Sequence, residues 1–490
     1  MPSTDPITRH LLDRVLPGTL PSLLSTQRWF GSKARVVDRV AVRDFAWLPG
    51  APHANGLCIA EVAFAQGRSE RYALVIGRRA EPGAAPVVAG PSDGETLWTV
   101  EATAEQDGAY ALMAGFAGSS HLLTERGGAI RFADATSVTA DTIASRPPAR
   151  AVGVEQSNSS VRLGHGLVFK LLRRLDDGEN PELEIGRFLT TRTGFRAMPA
   201  LHGSVTYESP EGHPATVAIV QAWVESRGDG WSHVLALLGE NVHGEGGLDE
   251  LGRDLALLGA TTAEFHSAMA SDARDPAFSP EQATAADAQS WTAALANQAA
   301  GVRSLIGGAT IDAGLKQALD QAIGRFANAR VSSAPSIGRI AGDGFPKIRI
   351  HGDYHLGQTL KTTGGFILLD FEGEPARPLA ERRQKQCALK DVAGMLRSFD
   401  YALATACHGD LAAAAAIDAQ LHSRGRFLDG YLGAALPRSH PVVPANTDAR
   451  LAWTRFFELE KALYELAYEA NNRPAWAHIP ARGILRLLEG

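Results

Sequence analysis

The sequence predicts an α+β fold in which a strand-rich first half is followed by a mainly helical second half. In the first half, apolar runs of strand length are broken by Pro and Gly turns. The clearest strands are Val40 to Phe45, Ile59 to Phe64 and Glu70 to Ile76. After Glu225, apolar residues recur with the period of a helix. The clearest helices are Leu251 to Met269, Ala285 to Leu305 and Ile311 to Ala327.

The length of the chain predicts more than one domain. A chain of 490 residues is too long for one ordinary hydrophobic core, so we expect two or three domains. A Pro- and Gly-containing break at Glu81 to Pro86 reads as a linker or loop. We predict an N-terminal cap over residues 1–95, an intermediate region completing a strand-rich lobe over 96–225, and a helical lobe over 226–490.

Composition excludes several classes of function. The formal net charge is -6 and no basic block stands out, so we expect no nucleic-acid partner. Neither a secretion signal nor an apolar run long enough to span a bilayer is evident, so we expect no membrane association. Three widely scattered cysteines favour the reducing cytoplasm. The sequence leaves open whether the protein is a monomer or a homodimer.

The strongest chemical signal lies in two neighbouring stretches, Ile350 to Gln358 and Ile367 to Glu372. Phosphoryl transfer from a nucleotide needs a group that accepts the hydroxyl proton and hard oxygen ligands for Mg²⁺. Asp353 suits the role of catalytic base, and Gln358 and Asp370 suit the role of metal ligands. An ordinary turn and strand end are the alternative, which the consistent spacing of the polar residues outweighs.

The same stretches predict a hairpin that brings the two metal ligands together. Lys347 to Ile350 and Phe366 to Leu369 have the character of short strands. Thr362 to Gly365 reads as the turn between them. Such a hairpin would place Gln358 and Asp370 at the same end.

A phosphoryl-transfer enzyme also needs a site for ATP, and the strand-rich half offers candidates. The stretch Gln156 to Val161 is small and polar, so its amides and hydroxyls could line phosphates. The candidate residues are Ser157, Asn158, Ser159 and Ser160. Lys170 is the one charged residue in the apolar strand Leu167 to Leu172, and a buried lysine requires a partner.

The partner of Lys170 should lie on the helix that follows. Glu184 is the first choice and Glu182 the second, because both lie at the start of a helix running to Thr191. The alternative is an edge strand from which Lys170 reaches water. Backbone groups of Gln221 and Trp223 could contact adenine, or this segment could be a simple interdomain strand.

Several stretches resemble the bacterial maltokinase-like kinases, which are related to the aminoglycoside phosphotransferases and more distantly to protein kinases. The stretches are Gln27 to Lys33, His351 to Gln358, Asp370 to Leu379, Asp391 to Phe399 and Glu460 to Pro474. The resemblance implies a two-lobed fold like that of eukaryotic protein kinases, with an N-terminal cap, a strand-rich N-lobe and a helical C-lobe. It also implies ATP- and Mg²⁺-dependent phosphorylation of a sugar hydroxyl.

One segment departs from the maltokinase pattern. Between Glu381 and Asp391 the chain reads Arg-Arg-Gln-Lys-Gln-Cys-Ala-Leu-Lys, which is similar to the actinobacterial glucosamine kinases. This resemblance implies phosphorylation of glucosamine at its 6-hydroxyl. The main alternative is a maltokinase making maltose 1-phosphate. An inactive kinase-like binding module is a second alternative, although the base, the metal ligands and the lysine are all present.

The substrate residues are sought in the departing segment, in the two motifs and on the C-terminal helix predicted from about Leu451 to Asn471. The candidates are His355, Glu372, Gln386, Cys387, Tyr464 and Glu465. Tyr464 and Tyr468 could stack on a sugar while Glu465 and Glu469 bind its amine, or these charges could form an ordinary solvated helix face. His355 could instead hold its loop, Glu372 could assist the metal, and Cys387 is expected to pack near the sugar.

Overall fold

The computed structural model describes most of the chain. The described residues are 8, 10–27, 29–50, 54–79, 87–88, 97–99, 106–117, 121–133, 138, 145, 148–152, 158–242, 246–308, 310–341, 345–437 and 441–489. They form two compact units. The first comprises Met1–Thr190 and Pro199–Val224, and the second comprises Thr191–Met198 and Glu225–Gly490.

Among the residues described, the first unit contains two antiparallel sheets and three helices. One sheet has the strands β1 (Val37–Trp47), β2 (Asn55–Phe64), β3 (Glu70–Arg79), β4 (Val87–Val88), β5 (Leu97–Thr99) and β11 (Arg174–Leu175). The other has β6 (His121–Leu123), β7 (Ala129–Ala133), β8 (Ala149–Ala151), β9 (Asn158–Leu163), β10 (Leu167–Leu172), β12 (Leu201–Glu208) and β13 (Pro214–Ala222). The helices are α1 (Leu16–Leu24), which follows a π-helical turn at Leu11–Val15, α2 (Gln106–Ala117) and α3 (Pro181–Arg192).

Strand β2 shows why the first sheet is buried on both sides. Successive side chains of a strand point to opposite faces. Leu57 and Ile59 therefore join a core shared with the second sheet, whereas Cys58 and Ala60 join a core covered by α1. The strands predicted around residues 40–45, 59–64 and 70–76 all belong to this sheet.

The second unit is mainly helical. Its helices are α4 (Gly230–Val242), α5 (Leu248–Met269), α6 (Ala285–Ile306), α7 (Ala313–Ala341), α8 (Leu379–Arg382), α9 (Leu389–Ala406), α10 (Leu411–Leu421), α11 (Ser423–Ala435), α12 (Thr447–Asn472) and α13 (His478–Glu489). Short strands complete it: β14 (Glu281–Gln282), β15 (Pro346–Ile348), β16 (Thr359–Thr362), β17 (Gly365–Leu368) and β18 (Gln386–Cys387). Within the described residues, no helix combines the length and the apolar character needed to cross a bilayer.

The predicted hairpin forms, but with a different first strand. Thr362 pairs with Gly365, so Thr363 and Gly364 alone make the turn, as in a two-residue hairpin. Such a turn can join only adjacent strands, and the partner of β17 is therefore β16. The prediction that Lys347 to Ile350 supplies this partner is wrong, because β15 pairs with β14 and β18.

Candidate active site

The loop from His351 to Gln358 is held by one buried carboxylate. Asp391, at the start of α9, is 2% exposed and accepts hydrogen bonds from the backbone amides of His351 (2.7 Å) and Gly352 (2.9 Å). His266 Nε2 lies 3.1 Å from Asp391 Oδ2. Burial alone would raise the pKa of Asp391, but the bonds from His266 and Gly352 lower it. Gly352 has φ of +83°, a conformation that favours glycine.

Asp353, the predicted base, projects from this loop beside a lysine of α12. Lys461 Nζ lies 3.2 Å from Asp353 Oδ1. Burial is the largest single effect and would raise the pKa of Asp353, but Lys461, His355 and His351 together outweigh it and lower that pKa, with Lys461 the largest of the three. Asp353 is therefore an ionised carboxylate that can accept a proton.

The two predicted metal ligands lie together. Gln358 ends the loop and Asp370 follows the hairpin, and Gln358 Nε2 donates a hydrogen bond of 3.0 Å to Asp370 Oδ2. His351 Nε2 donates to the carbonyl of Leu369 at 2.7 Å and so ties the loop to the hairpin end. Asp370 has φ of +63°, which is uncommon outside glycine and points to a functional constraint.

A cavity opens beside Asp353 within the second unit. It is lined by Gln298, Gly352, Asp353, Tyr354, Glu374, Arg377, Lys390, Asp391, Gly394, Phe457, Glu460, Lys461 and Tyr464. Four of these residues are carboxylates and three are cations. Arg377 donates to Glu374 at 2.6 Å, and Lys390 donates to Glu460 at 2.8 Å. Each cation of the described lining therefore lies beside a carboxylate, and the fourth carboxylate, Asp391, binds the amides of the loop.

The predicted substrate residues of α12 have different surroundings. Tyr464 lines the cavity, and its ring centroid is 5.1 Å from Lys461 Nζ. Tyr464 also stacks with Tyr468, at 6.5 Å between centroids. Glu465 instead accepts two hydrogen bonds from the fully buried Arg397, at 2.9 and 2.7 Å. Glu465 therefore forms an ion pair with Arg397 within the protein.

The alternative prediction, in which the charges of α12 form an ordinary solvated helix face, is wrong. Glu469 is 2% exposed and accepts hydrogen bonds from Tyr401 and from Arg473. The acidic stripe of α12 is therefore largely buried and paired, and it anchors the helix.

The remaining substrate candidates lie in the loop and in the departing segment. His355 Nδ1 accepts a hydrogen bond from the amide of Gly357, so this side chain caps the short 3₁₀ turn Leu356–Gln358. The carbonyl of Glu372 accepts a hydrogen bond from Arg382. Gln386 and Cys387 form β18, and burial raises the pKa of Cys387 to about 12, which is unsuited to a nucleophile. Substrate binding by these four residues stays a prediction.

Lys170 lies in the middle of the second sheet of the first unit. Strand β10 has β9 on one side and β13 on the other, so the edge-strand alternative is wrong. Lys170 Nζ is 3.8 Å from Glu182 Oε1, which also accepts a hydrogen bond of 3.1 Å from Gln221. Glu182, the second choice, is thus an ion-pair partner of Lys170. Glu184, the first choice, is buried on the same helix.

The other nucleotide candidates are partly engaged. Asn158, Ser159 and Ser160 belong to β9, where Ser160 lies opposite Lys170 and Ser159 accepts a hydrogen bond from Arg173. Ser157 lies outside the described residues. The amide of Trp223 donates to the carbonyl of Gly166 at 2.8 Å, and contact of Gln221 and Trp223 with an adenine stays a prediction.

The sequence analysis did not identify two residues that position or charge-balance Asp353, namely Asp391 and Lys461. Asp391 lies in the first turn of α9, directly before the apolar stretch Val392 to Leu396, and an acid in such a place is rarely buried without partners. The position of Asp391 can be recognised in the sequence, but the groups that it binds cannot. The role of Lys461 had no local signal, because Asp353 lies 108 residues away in the chain.

Sequence comparisons match this chain to known proteins. Residues 148–428 match the model of the phosphotransferase enzyme family. A glucosamine kinase of Mycolicibacterium smegmatis is 30% identical over 347 residues, which cover 69% of this chain and 79% of that protein. A glucosamine kinase of Streptacidiphilus jiangxiensis is 31% identical over 263 residues, which cover 51% of this chain and 54% of that protein.

Solved structures show the fold. A glucosamine kinase in crystal form B superposes with a TM-score of 0.68 at 22% identity, covering 97% of this chain and 99% of that one. A glucosamine kinase in complex with glucosamine, ADP and inorganic phosphate gives a TM-score of 0.65 at 21% identity, covering 96% and 100%. The predicted α+β fold of the protein-kinase-like class is confirmed. The chain belongs to the phosphotransferase enzyme family.

Proposed function

We propose that this protein is an ATP- and Mg²⁺-dependent kinase that phosphorylates glucosamine at its 6-hydroxyl. The observation that carries the proposal is Asp353, a carboxylate with a lowered pKa, at a cavity that Glu374 and Glu460 also line. The carboxylate of Asp353 can take the proton of a hydroxyl, and the other carboxylates of the cavity can bind an acceptor that is itself a cation. Glucosamine is protonated near neutral pH, whereas maltose and glucose are neutral.

The base acts on the acceptor. A sugar hydroxyl bound to Asp353 would give up its proton as its oxygen attacks the γ-phosphorus of ATP. The loop presents this carboxylate rigidly, because Asp391 binds the two amides that precede it. Such positioning is the main protein contribution to phosphoryl transfer.

The metal would be held by Gln358 and Asp370. An amide oxygen and a carboxylate are hard oxygen ligands, and Mg²⁺ fills its other positions with water and phosphate oxygens. The contact between the two side chains and the unusual backbone of Asp370 support a site prepared for such an ion. When bound, Mg²⁺ neutralises charge on the transferring phosphates.

The nucleotide would be held by residues of the first unit. Lys170, oriented by Glu182, supplies a positive charge for the phosphates. Glu184 and the stretch from Ser157 to Ser160 would assist Lys170. Gln221 and Trp223 would contact the adenine. Since ATP and free amino sugars are cytoplasmic substrates, we place the enzyme in the cytoplasm, as a monomer or homodimer.

The acceptor would be held in the cavity. Glu374 and Glu460 line it with carboxylates, and the ring of Tyr464 offers a face for a sugar. His355, Glu372, Gln386 and Cys387 remain proposed substrate residues, whereas Glu465 would act through its ion pair with Arg397.

The test is a coupled assay of ADP release with glucosamine, maltose and glucose, with the product identified by NMR. We expect glucosamine to give by far the highest kcat/KM and the phosphate to be on O6. Asp353→Asn should abolish turnover while leaving ATP binding nearly unchanged. Preferred turnover of maltose would favour a maltokinase. ATP binding without a phosphorylated product from any sugar would favour an inactive module.

A further inference from the structure

Lys461 lies beside Asp353, at the cavity that we propose for the acceptor. Its ammonium is 3.2 Å from Asp353 Oδ1, the carboxylate that we assign as base. A hydroxyl hydrogen-bonded to Asp353 at about 2.7 Å would therefore lie within reach of the same ammonium. Lys461 also lines the cavity, so it faces the acceptor.

The charge of Lys461 is directed at Asp353. Two other carboxylates, Glu374 and Glu465, also lie near its ammonium. Each of them already binds an arginine, because Arg377 donates to Glu374 and Arg397 donates to Glu465. Asp353 is thus the partner whose charge Lys461 balances.

Helix α12 holds Lys461 firmly. On one side, Gln298 donates a hydrogen bond of 3.1 Å to the carbonyl of Glu460. On the other side, Glu465 is bound to the fully buried Arg397, which also donates to Asp400 at 2.6 Å. The backbone of Lys461 is fixed, while its long side chain can move by rotation about its own bonds.

The reaction moves negative charge away from Asp353. A bond forms between the acceptor oxygen and the γ-phosphorus, and the bond from that phosphorus to the oxygen of the β-phosphate breaks, with its electron pair leaving on ADP. The hydroxyl proton passes to Asp353, which becomes neutral. Lys461 keeps its protons throughout. Its positive charge then loses its partner just as the new phosphate ester forms nearby.

We propose that Lys461 is a further catalytic residue, whose ammonium passes from Asp353 to the acceptor oxygen and the transferred phosphoryl group during the reaction. The inference rests on the proposed kinase function, because it assigns a role in that same transfer. A cation that gains contacts as the charge moves stabilises the transition state more than the ground state.

The test compares Lys461→Met and Lys461→Arg in the full-length protein. Removing one charge-stabilising donor costs about 10²- to 10³-fold in kcat in comparable sites. We expect Lys461→Met to lower kcat by about that factor, with a change of less than about threefold in KM for glucosamine. Lys461→Arg should recover at least about tenfold over Met, because it restores the charge.

Controls separate catalysis from folding. Lys316→Met is a matched change at a partly exposed lysine that binds the carbonyl of Gly307, and it should leave kcat and KM unchanged. Thermal unfolding and ATP affinity should be similar in all variants. A raised KM with normal kcat would show that Lys461 only binds the acceptor and would overturn the proposal, as would unchanged kinetics.

The two proposals can fail separately. If the wild type phosphorylates another sugar, glucosamine specificity fails, and the Lys461 comparison is made with that sugar. If no sugar is phosphorylated, slow ATP hydrolysis, with water as the acceptor, gives the same comparison. Equal hydrolysis by the wild type and Lys461→Met overturns the role of Lys461, as does the absence of any phosphoryl transfer.

Discussion

Asp353 is a half-buried carboxylate whose ionisation depends on its neighbours. Burial favours its neutral form, and three groups oppose that effect: Lys461 from α12, and His355 and His351 from its own loop. Because the lowering prevails, the folded protein keeps this carboxylate charged at a pH where a free aspartate would begin to be protonated. The residue that would accept the proton is therefore ready to do so throughout the neutral range.

This balance predicts the acid limb of the pH profile. Activity requires ionised Asp353, so kcat/KM should stay constant until the pH falls below the ordinary aspartate pKa of about 3.9. In Lys461→Met the pKa of Asp353 should rise, and the acid limb should move to higher pH. The measurement is kcat/KM against pH, with circular dichroism at each pH to exclude unfolding. An acid limb at the same pH in both proteins would contradict the role given to Lys461.

At the scale of elements, α5 and α11 approach each other at two glycines. A Cβ on Gly430 of α11 would overlap the carbonyl oxygen of Ala256, and a Cβ on Gly259 of α5 would overlap that of Phe427. The obstacles are backbone atoms, which cannot turn aside as a side chain can. Helix α5 also carries His266, which contacts Asp391. Because Asp391 binds the loop that carries Asp353, the packing of α5 supports that loop.

Two substitutions in the same helix test this packing. Gly430→Ala should lower the free energy of unfolding by about 1–3 kcal/mol, because the helices must separate. Gly433→Ala is its matched control: no atom lies within 4 Å of the added Cβ, and alanine should raise helix stability by about 0.5–1 kcal/mol. Urea unfolding midpoints give the comparison. Equal midpoints for the two variants would mean that α5 and α11 tolerate separation.

Local sequence patterns predicted several helices and the catalytic motifs, but not the contacts between distant segments. Periodicity located α5, α6 and α12 because it reports one buried face, which is a local property. Two spaced motifs located Asp353, Gln358 and Asp370. The pairing of β15, the arginine bound to Glu465 and the lysine beside Asp353 depend on contacts between distant segments. Nothing in the local pattern of either partner specifies such contacts.

In the whole molecule, the proposed nucleotide and acceptor residues belong to different units. Lys170, Glu182 and Gln221 form a connected group in the first unit. Asp353, Tyr464 and the charged cavity belong to the second. A substitution in one unit should therefore alter the dependence on one substrate while leaving the apparent affinity for the other nearly unchanged.

Lys170→Met and Tyr464→Ala provide that test. Lys170→Met should lower kcat/KM for ATP by about 10²- to 10³-fold, because the phosphates lose a positive charge, while KM for glucosamine stays within about threefold. Tyr464→Ala should raise KM for glucosamine about tenfold or more through lost stacking area and leave KM for ATP nearly unchanged. Both substrates are varied in turn in the coupled assay, with thermal unfolding as the folding control. An unchanged kcat/KM for ATP in Lys170→Met would show that Lys170 does not belong to the nucleotide site. Its ion pair with Glu182 would then be purely structural.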